Sequence, residues 1–242
     1  FPANLTFGPL ADILAAGNRA MIKPSEFTPA VSEVMADIVR DAWDEKEVAI
    51  FTGGPEAGAA FSALPFDHLL FTGATGIARH IMAAAAKNLV PVTLELGGKS
   101  PVILSRSADI KQAIGRVMMG KTMNAGQICL APDYLMVPEE DIDAVIGEIQ
   151  SAVAQMYPKL LDNPQYTSVI NERHFQRLQD NLVDAREKGA EVIECNPAAE
   201  DFSEQQGTHK IPPTIVKNPT EQMRILDEEI FGPLLPIKTY KD

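Results

Sequence analysis

The chain has 242 residues, 45% of them hydrophobic. That is enough for one large or two smaller folded domains, and ordinary glycine and proline usage excludes a fibrous or low-complexity protein. A formal charge of -12 argues against nucleic acid and anionic membrane surfaces as partners, and no apolar run reaches the roughly 18 residues that span a bilayer. Two cysteines, Cys129 and Cys195, and four scattered histidines exclude a disulfide framework and leave no metal-ligand spacing; with no secretory leader in view they fit a reducing, cytoplasmic setting.

The first hundred residues alternate strand and helix. A short apolar strand is expected over 19–22. Thr28-Pro29 then supplies an N-cap and first-turn pair, and Val31, Val34, Met35 and Ile38 carry helical spacing. A strand over 48–51 runs into Gly53-Gly54, and a small-residue helix covers about 56–63. A strand over 68–71 ends in Thr72-Gly73-Ala74-Thr75-Gly76. An alanine-rich helix over 77–87 leads to a strand over 91–96. Strands separated by helices of this length predict an open, mostly parallel, Rossmann-like α/β sheet with helices on both faces. Ligands bind beyond the carboxyl ends of such strands, here Lys23, Gly53, Gly73 and Glu95.

A second α/β domain is expected after Gly97-Gly98, which divides the chain into 1–97 and 98–242. Its elements are a strand over 102–104, a helix over 109–124, a strand over 134–137 and a helix over 139–156. A charged amphipathic helix over 171–188, a polar surface loop over 198–210 and strands over 213–217 and 234–240 complete it.

Two signatures carry chemistry. Leu94-Glu95-Leu96-Gly97-Gly98-Lys99-Ser100-Pro101 places a carboxylate at the end of an apolar strand, where it is expected to be desolvated, as a base working on water requires. Gly126-Gln127-Ile128-Cys129 places a thiol beside a glycine that lets backbone approach a ligand. Either alone reads as readily as a solvated strand-end glutamate or a buried structural cysteine. Together they supply the nucleophile and base for making and hydrolysing a thioester. Cys195 lacks such a setting and reads as packing or surface, and Lys99 as a structural pair without a chemical role. Lys23-Pro24-Ser25-Glu26 offers two groups that hydrogen-bond ribose hydroxyls, though four residues alone equally make a charged turn. Phe71 to Gly76 is a strand-to-helix turn suited to a pyrophosphate, without the G-x-G-x-x-G fingerprint. Glu228 to Pro233 joins acid, aromatic and turn residues.

In this order the pieces resemble the aldehyde dehydrogenase superfamily over essentially all 242 residues. Gly8-Pro9-Leu10 and Ala15-Ala16-Gly17-Asn18 add to the resemblance. Ala131-Pro132-Asp133-Tyr134 resembles the class 3 branch, which includes fatty and aromatic aldehyde dehydrogenases, and Asn18 to Lys23 resembles its coniferyl aldehyde dehydrogenase relatives. The resemblance implies a C-terminal part of an NAD-binding domain over 1–97 and an N-terminal part of a catalytic domain over 98–242. It implies that Cys129 attacks the aldehyde and carries the thioester, that the Cys129 N–H faces the oxyanion, and that Glu95 activates water. Lys23 and Glu26 would hold the adenosine ribose. Glu229 would hold the nicotinamide ribose with Phe231 beside it, and Gly53, Gly73 and Gly97 would line the cofactor cleft. Glu26 favours NAD over NADP, because a carboxylate accepts the 2′-hydroxyl and repels a 2′-phosphate; NADP stays possible, since relatives with this glutamate use both.

There are departures from the pattern. Ala74 stands where many relatives have serine, leaving Thr75 as the hydroxyl near the pyrophosphate. Phe1-Pro2 resembles the end of an aromatic-Asn-aromatic-Pro motif whose asparagine, the other oxyanion donor, would precede Phe1. The chain therefore reads as the central piece of a longer enzyme, by resemblance a homodimer acting on an aromatic or bulky hydrophobic aldehyde. Two alternatives stay open: a CoA-acylating dehydrogenase, against which Glu95 argues, and a non-catalytic nucleotide-binding fragment.

Overall fold

The computed structural model describes residues 1–205 and 207–241. Its contacts divide the chain into two compact units, Phe1–Leu96 and Gly97–Asp242.

The first unit opens with α1 (Pro2–Ala15), over a stretch for which the sequence reading gave no element. Pro9 sits inside it, and the helix is held by Leu10, which is buried against Val39 and Val48. Strands β1 (Ala20–Ile22) and β2 (Val48–Ile50) pair in parallel, with α2 (Pro29–Ala42) crossing between them. After α3 (Pro55–Ser62), strands β3 (Leu69–Thr72) and β4 (Val92–Glu95) form a second parallel pair, with α4 (Thr75–Ala86) as the crossover. Among the described residues these remain two separate two-stranded ladders.

Two local expectations need correction. Thr28 occupies the N-cap position of α2, but its hydroxyl is buried and makes no hydrogen bond, so Pro29 carries the start signal. The buried face of α2 is Ser32, Met35, Ala36 and Val39, while Val31, Val34 and Ile38 are exposed. Both stripes have helical spacing, and packing on α1 and β2 chose between them.

The second unit is a five-stranded sheet in the order β5 (Pro101–Ile103), β6 (Tyr134–Pro138), β9 (Leu234–Tyr240), β8 (Thr214–Lys217) and β7 (Glu191–Glu194). All pairs are parallel except β7–β8. Helices α5 (Ile110–Thr122), α6 (Ile142–Met156) and α7 (Glu172–Glu187) complete it. Asp109 caps α5 by accepting from the Gln112 N–H, and Asn171 caps α7 by accepting from the His174 N–H, both at 3.0 Å. The period of two along the strands sorts the core. Ile215 and Leu235 pack with α5 and α6, whereas their neighbours Val216 and Leu234 pack with α7. Strand β7 was not foreseen; its glutamate ends hide a two-residue apolar centre. The expected loop over 198–210 contains one 3-10 turn, Phe202–Glu204, and Gln206 lies outside the described residues.

Candidate active site

Cys129 sits in a turn closed by the Ala131 N–H donating to the Ile128 carbonyl at 2.9 Å, just ahead of β6. The run leading to it is unusual. Asn124, Ala125 and Gly126 all take left-handed backbone, with φ of 51°, 52° and 73°. Asparagine and glycine tolerate this region; Ala125 pays for it and is held by its burial. At Gly126 a Cβ would overlap the Gly232 carbonyl, so only glycine lets these two backbones meet.

Gln127 holds the run from inside. Its Nε2 donates to the carbonyls of Asn124 and Ser168, each at 3.0 Å, and its Oε1 accepts from the Ile170 N–H at 2.9 Å. Asn124 returns a bond to the Gln127 carbonyl at 3.0 Å. These partly buried bonds contribute about 1 kcal/mol each, and Cys129 beyond them is half-buried. The Cys129 N–H has no acceptor among the described residues. Cys195, by contrast, lies in the core and burial pushes its thiol up to about 12.

The second loop of this unit runs ahead of β9. The Glu229 carboxylate lies directly against Gly97, where a Cβ would overlap it, and accepts from the Gly98 N–H. Burial raises the Glu229 carboxyl above its ordinary value; the Gly98 N–H, Arg177 and Lys99 oppose the rise, while Asp133 adds to it. Phe231 follows in left-handed backbone, φ 46°, and is half-buried. Gly97, Cys129, Glu229 and Phe231 thus gather at the amino ends of β5, β6 and β9. The carboxyl-end rule that guided the reading of the first hundred residues does not describe this unit.

In the first unit the candidates do end strands. Lys23 Nζ donates to Glu26 Oε2 at 2.7 Å, and that bond holds the Glu26 carboxyl below its usual range, so it stays charged at neutral pH. Gly53 has φ of 152° and leaves no room for a Cβ against Ala57. The Gly73 N–H donates to the Glu95 carbonyl at 3.0 Å, which places the ends of β3 and β4 side by side. Thr75 is exposed at the first turn of α4, behind Ala74, which offers no cap. Glu95 is exposed at the end of β4, so of the two readings it is the solvated strand-end glutamate and not the desolvated one. Within this unit the donor set fits part of a nucleotide: an ammonium and a carboxylate for a ribose, and a helix start without a side-chain cap for phosphate.

Residues 1–242 match the Aldehyde dehydrogenase family. The chain belongs to that family. It is 61% identical over its whole length to a probable coniferyl aldehyde dehydrogenase of Caulobacter vibrioides and 60% identical to a coniferyl aldehyde dehydrogenase of a Pseudomonas species, covering 50% of each. The chain therefore spans about half the length of the curated relatives it matches. Among solved structures, the substrate-bound state of Staphylococcus aureus AldH superposes with a TM-score of 0.89 at 38% identity, over 100% of this chain and 51% of that one. A Mycobacterium tuberculosis aldehyde dehydrogenase complexed with NAD+ superposes with a TM-score of 0.83 at 28% identity, over 94% and 47%. The family uses NAD(P). Among the described residues no helix is long and apolar enough to cross a membrane, and no group of His, Cys, Asp or Glu is arranged to hold a metal ion.

The sequence reading missed Asp133 and Arg177. Asp133 was visible only as a branch mark, and Arg177 carried no signal beyond a charged helix.

Proposed function

We propose that the protein containing this chain oxidises an aldehyde to its carboxylic acid with NAD, and less readily with NADP, and that the aldehyde is aromatic or bulky and hydrophobic, of the coniferyl aldehyde kind. The observation that carries the chemistry is the Cys129 turn, braced by Gln127 and by the Gly126–Gly232 contact and presenting a thiol beside an N–H with no acceptor among the described residues. Identity of 60% and 61% to coniferyl aldehyde dehydrogenases supports the substrate class. The first unit is read as part of the cofactor-binding domain and the second as part of the catalytic domain. The class 3 resemblance implies a homodimer, and the cysteine usage fits a cytoplasmic setting.

Cys129 Sγ attacks the aldehyde carbon, and the negative charge that develops on oxygen faces the Cys129 N–H. A nicotinamide cofactor, when bound, would supply the hydride acceptor. Lys23 and Glu26 would hold one ribose and Glu229 the other, with Phe231 beside it. Loss of hydride leaves a thioester on Cys129. Glu95, exposed at the end of β4, accepts a proton from water as the water oxygen attacks the acyl carbon; the thiolate departs and the acid is released. The charged Glu26 disfavours a 2′-phosphate.

The test uses the full-length protein. Cys129→Ala should abolish NADH formation from coniferaldehyde. Glu95→Gln should give one burst of NADH per active subunit and then stall, because only hydrolysis is blocked. Sustained turnover by Cys129→Ala overturns the reading, and CoA-dependent release of the acyl group from the wild type would favour acylating chemistry.

A further inference from the structure

The loop that carries Glu229 has little regular structure of its own: one 3-10 turn, Arg224–Leu226, then irregular backbone up to β9. Its backbone polar groups are satisfied instead by three side chains from three other places in the unit. Lys99, on the segment before β5, donates to the carbonyls of Ile225 at 3.1 Å and Glu228 at 3.0 Å. The same ammonium is ion-paired with Asp133, at the start of β6, whose carboxylate is almost fully buried. The other oxygen of Asp133 accepts from the Ile230 N–H at 2.8 Å. From α7, Arg177 donates to the carbonyls of Glu229 at 3.3 Å and Ile230 at 2.6 Å.

The bonds to Glu228, Glu229 and Ile230 fall on Glu229 and its two neighbours in the chain. The reaction reading gives neither Lys99 nor Asp133 a role of its own. The Asp133 N–H donates to the Ser100 carbonyl at 2.8 Å, which ties the segments that lead into β5 and β6 to each other beside the pair. A charge-assisted pair bonded to loop backbone acts on loop geometry.

We propose that Lys99 and Asp133 are positioning residues: their ion pair clamps the backbone around Glu229 so that its carboxylate is held in place for the nicotinamide ribose, and through it the hydride-transfer step. This rests on the proposed dehydrogenase reading for the ribose and the hydride; the clamp on the loop does not.

Lys99→Met alone leaves the Asp133 carboxylate buried without its partner and is expected to destabilise the fold, so the decisive variant is the neutral double Lys99→Met/Asp133→Asn. It removes both charges together. The amide oxygen introduced at position 133 keeps an acceptor for the Ile230 N–H, while the carbonyls of Ile225 and Glu228 still lose their donor. In full-length protein, amide hydrogen exchange of the peptide 225–233 should quicken in the double variant while α5, β6 and β9 exchange as in the wild type. With NAD and coniferaldehyde, kcat should fall roughly 10- to 100-fold, and a primary isotope effect with the 1-deuterio aldehyde should appear or grow, because hydride transfer has become limiting.

A double variant that folds and shows wild-type exchange over 225–233 overturns the clamp. One that loosens the loop yet keeps the wild-type kcat and isotope effect overturns the link to hydride transfer, and the pair is then merely structural. If the wild type itself oxidises no aldehyde, the dehydrogenase reading and that link fail together, while the exchange result still decides whether the pair holds the loop.

Discussion

Gly97 and Glu229 are in direct contact: the Glu229 carboxylate fills the space that a side chain at position 97 would occupy, and the Gly98 N–H donates to it. The glycine in this motif is thus explained by what lies across from it. Its backbone lies outside the left-handed region, unlike that of Gly126, and does not itself demand glycine.

Gly97→Ala should therefore fold normally and act locally. The new methyl group must displace the carboxylate, because the overlap is with its oxygens and the rest of the backbone accepts alanine. In the full-length protein the melting temperature should stay within a few degrees of wild type while the NAD dissociation constant rises about tenfold, the effect of weakening the contact proposed between Glu229 and the nicotinamide ribose. Titration with NAD by calorimetry checks this, and an unchanged dissociation constant would remove Glu229 from the cofactor contacts.

Lys121 is a second buried charge of this unit, and its ionisation should govern stability at alkaline pH. It is 1% exposed on α5, and burial brings its ammonium down to about 7 from an ordinary 10.5; Asp133 and Glu229 resist the fall and Lys99 adds to it. Between pH 7 and 10.5 the unfolded chain binds the proton and the folded chain does not, so stability rises with pH across that window. Below about 7 both states are protonated and the full cost of burying the charge remains. Lys121→Met removes this dependence. Its advantage over the wild type should be small near pH 10, grow to several kcal/mol as pH falls to about 7, and level off below. Urea unfolding of both proteins at about pH 6, 7, 8 and 9.5 measures it; a difference that does not vary with pH would mean that Lys121 stays charged throughout.

The two cysteines should differ sharply towards alkylation. Cys129 is half-buried in an open turn, whereas Cys195 is in the core with its thiol pushed up to about 12. Iodoacetamide at about pH 8 should label the Cys129 peptide of the native protein and spare Cys195, with both labelled after denaturation. Peptide mass mapping gives the answer, and labelling of native Cys195 at a comparable rate would show that its core opens readily.

Much of this protein is legible along the chain because the signals are local. Asp109 and Asn171 are caps that announce α5 and α7, and alternating apolar runs announce the strands. Gly126-Gln127-Ile128-Cys129 shows in its own composition that backbone comes close to something there. Where two helical stripes were both available on α2, local pattern was insufficient, because packing partners decide which face a helix hides.

The amino-acid sequence by itself determined the alternating α/β plan and the family, and named the candidates for the chemistry, since each depends on residue types close together in the chain. The tertiary structure alone decided what those residues face. Lys99 meets Asp133 34 positions away and the Glu228 carbonyl 129 positions away, Gly97 meets Glu229, and the loops of the second unit converge at the amino ends of its strands. Long-range contacts of this kind follow from strand order and close packing, which bring together segments whose separate sequences carry no mark of one another.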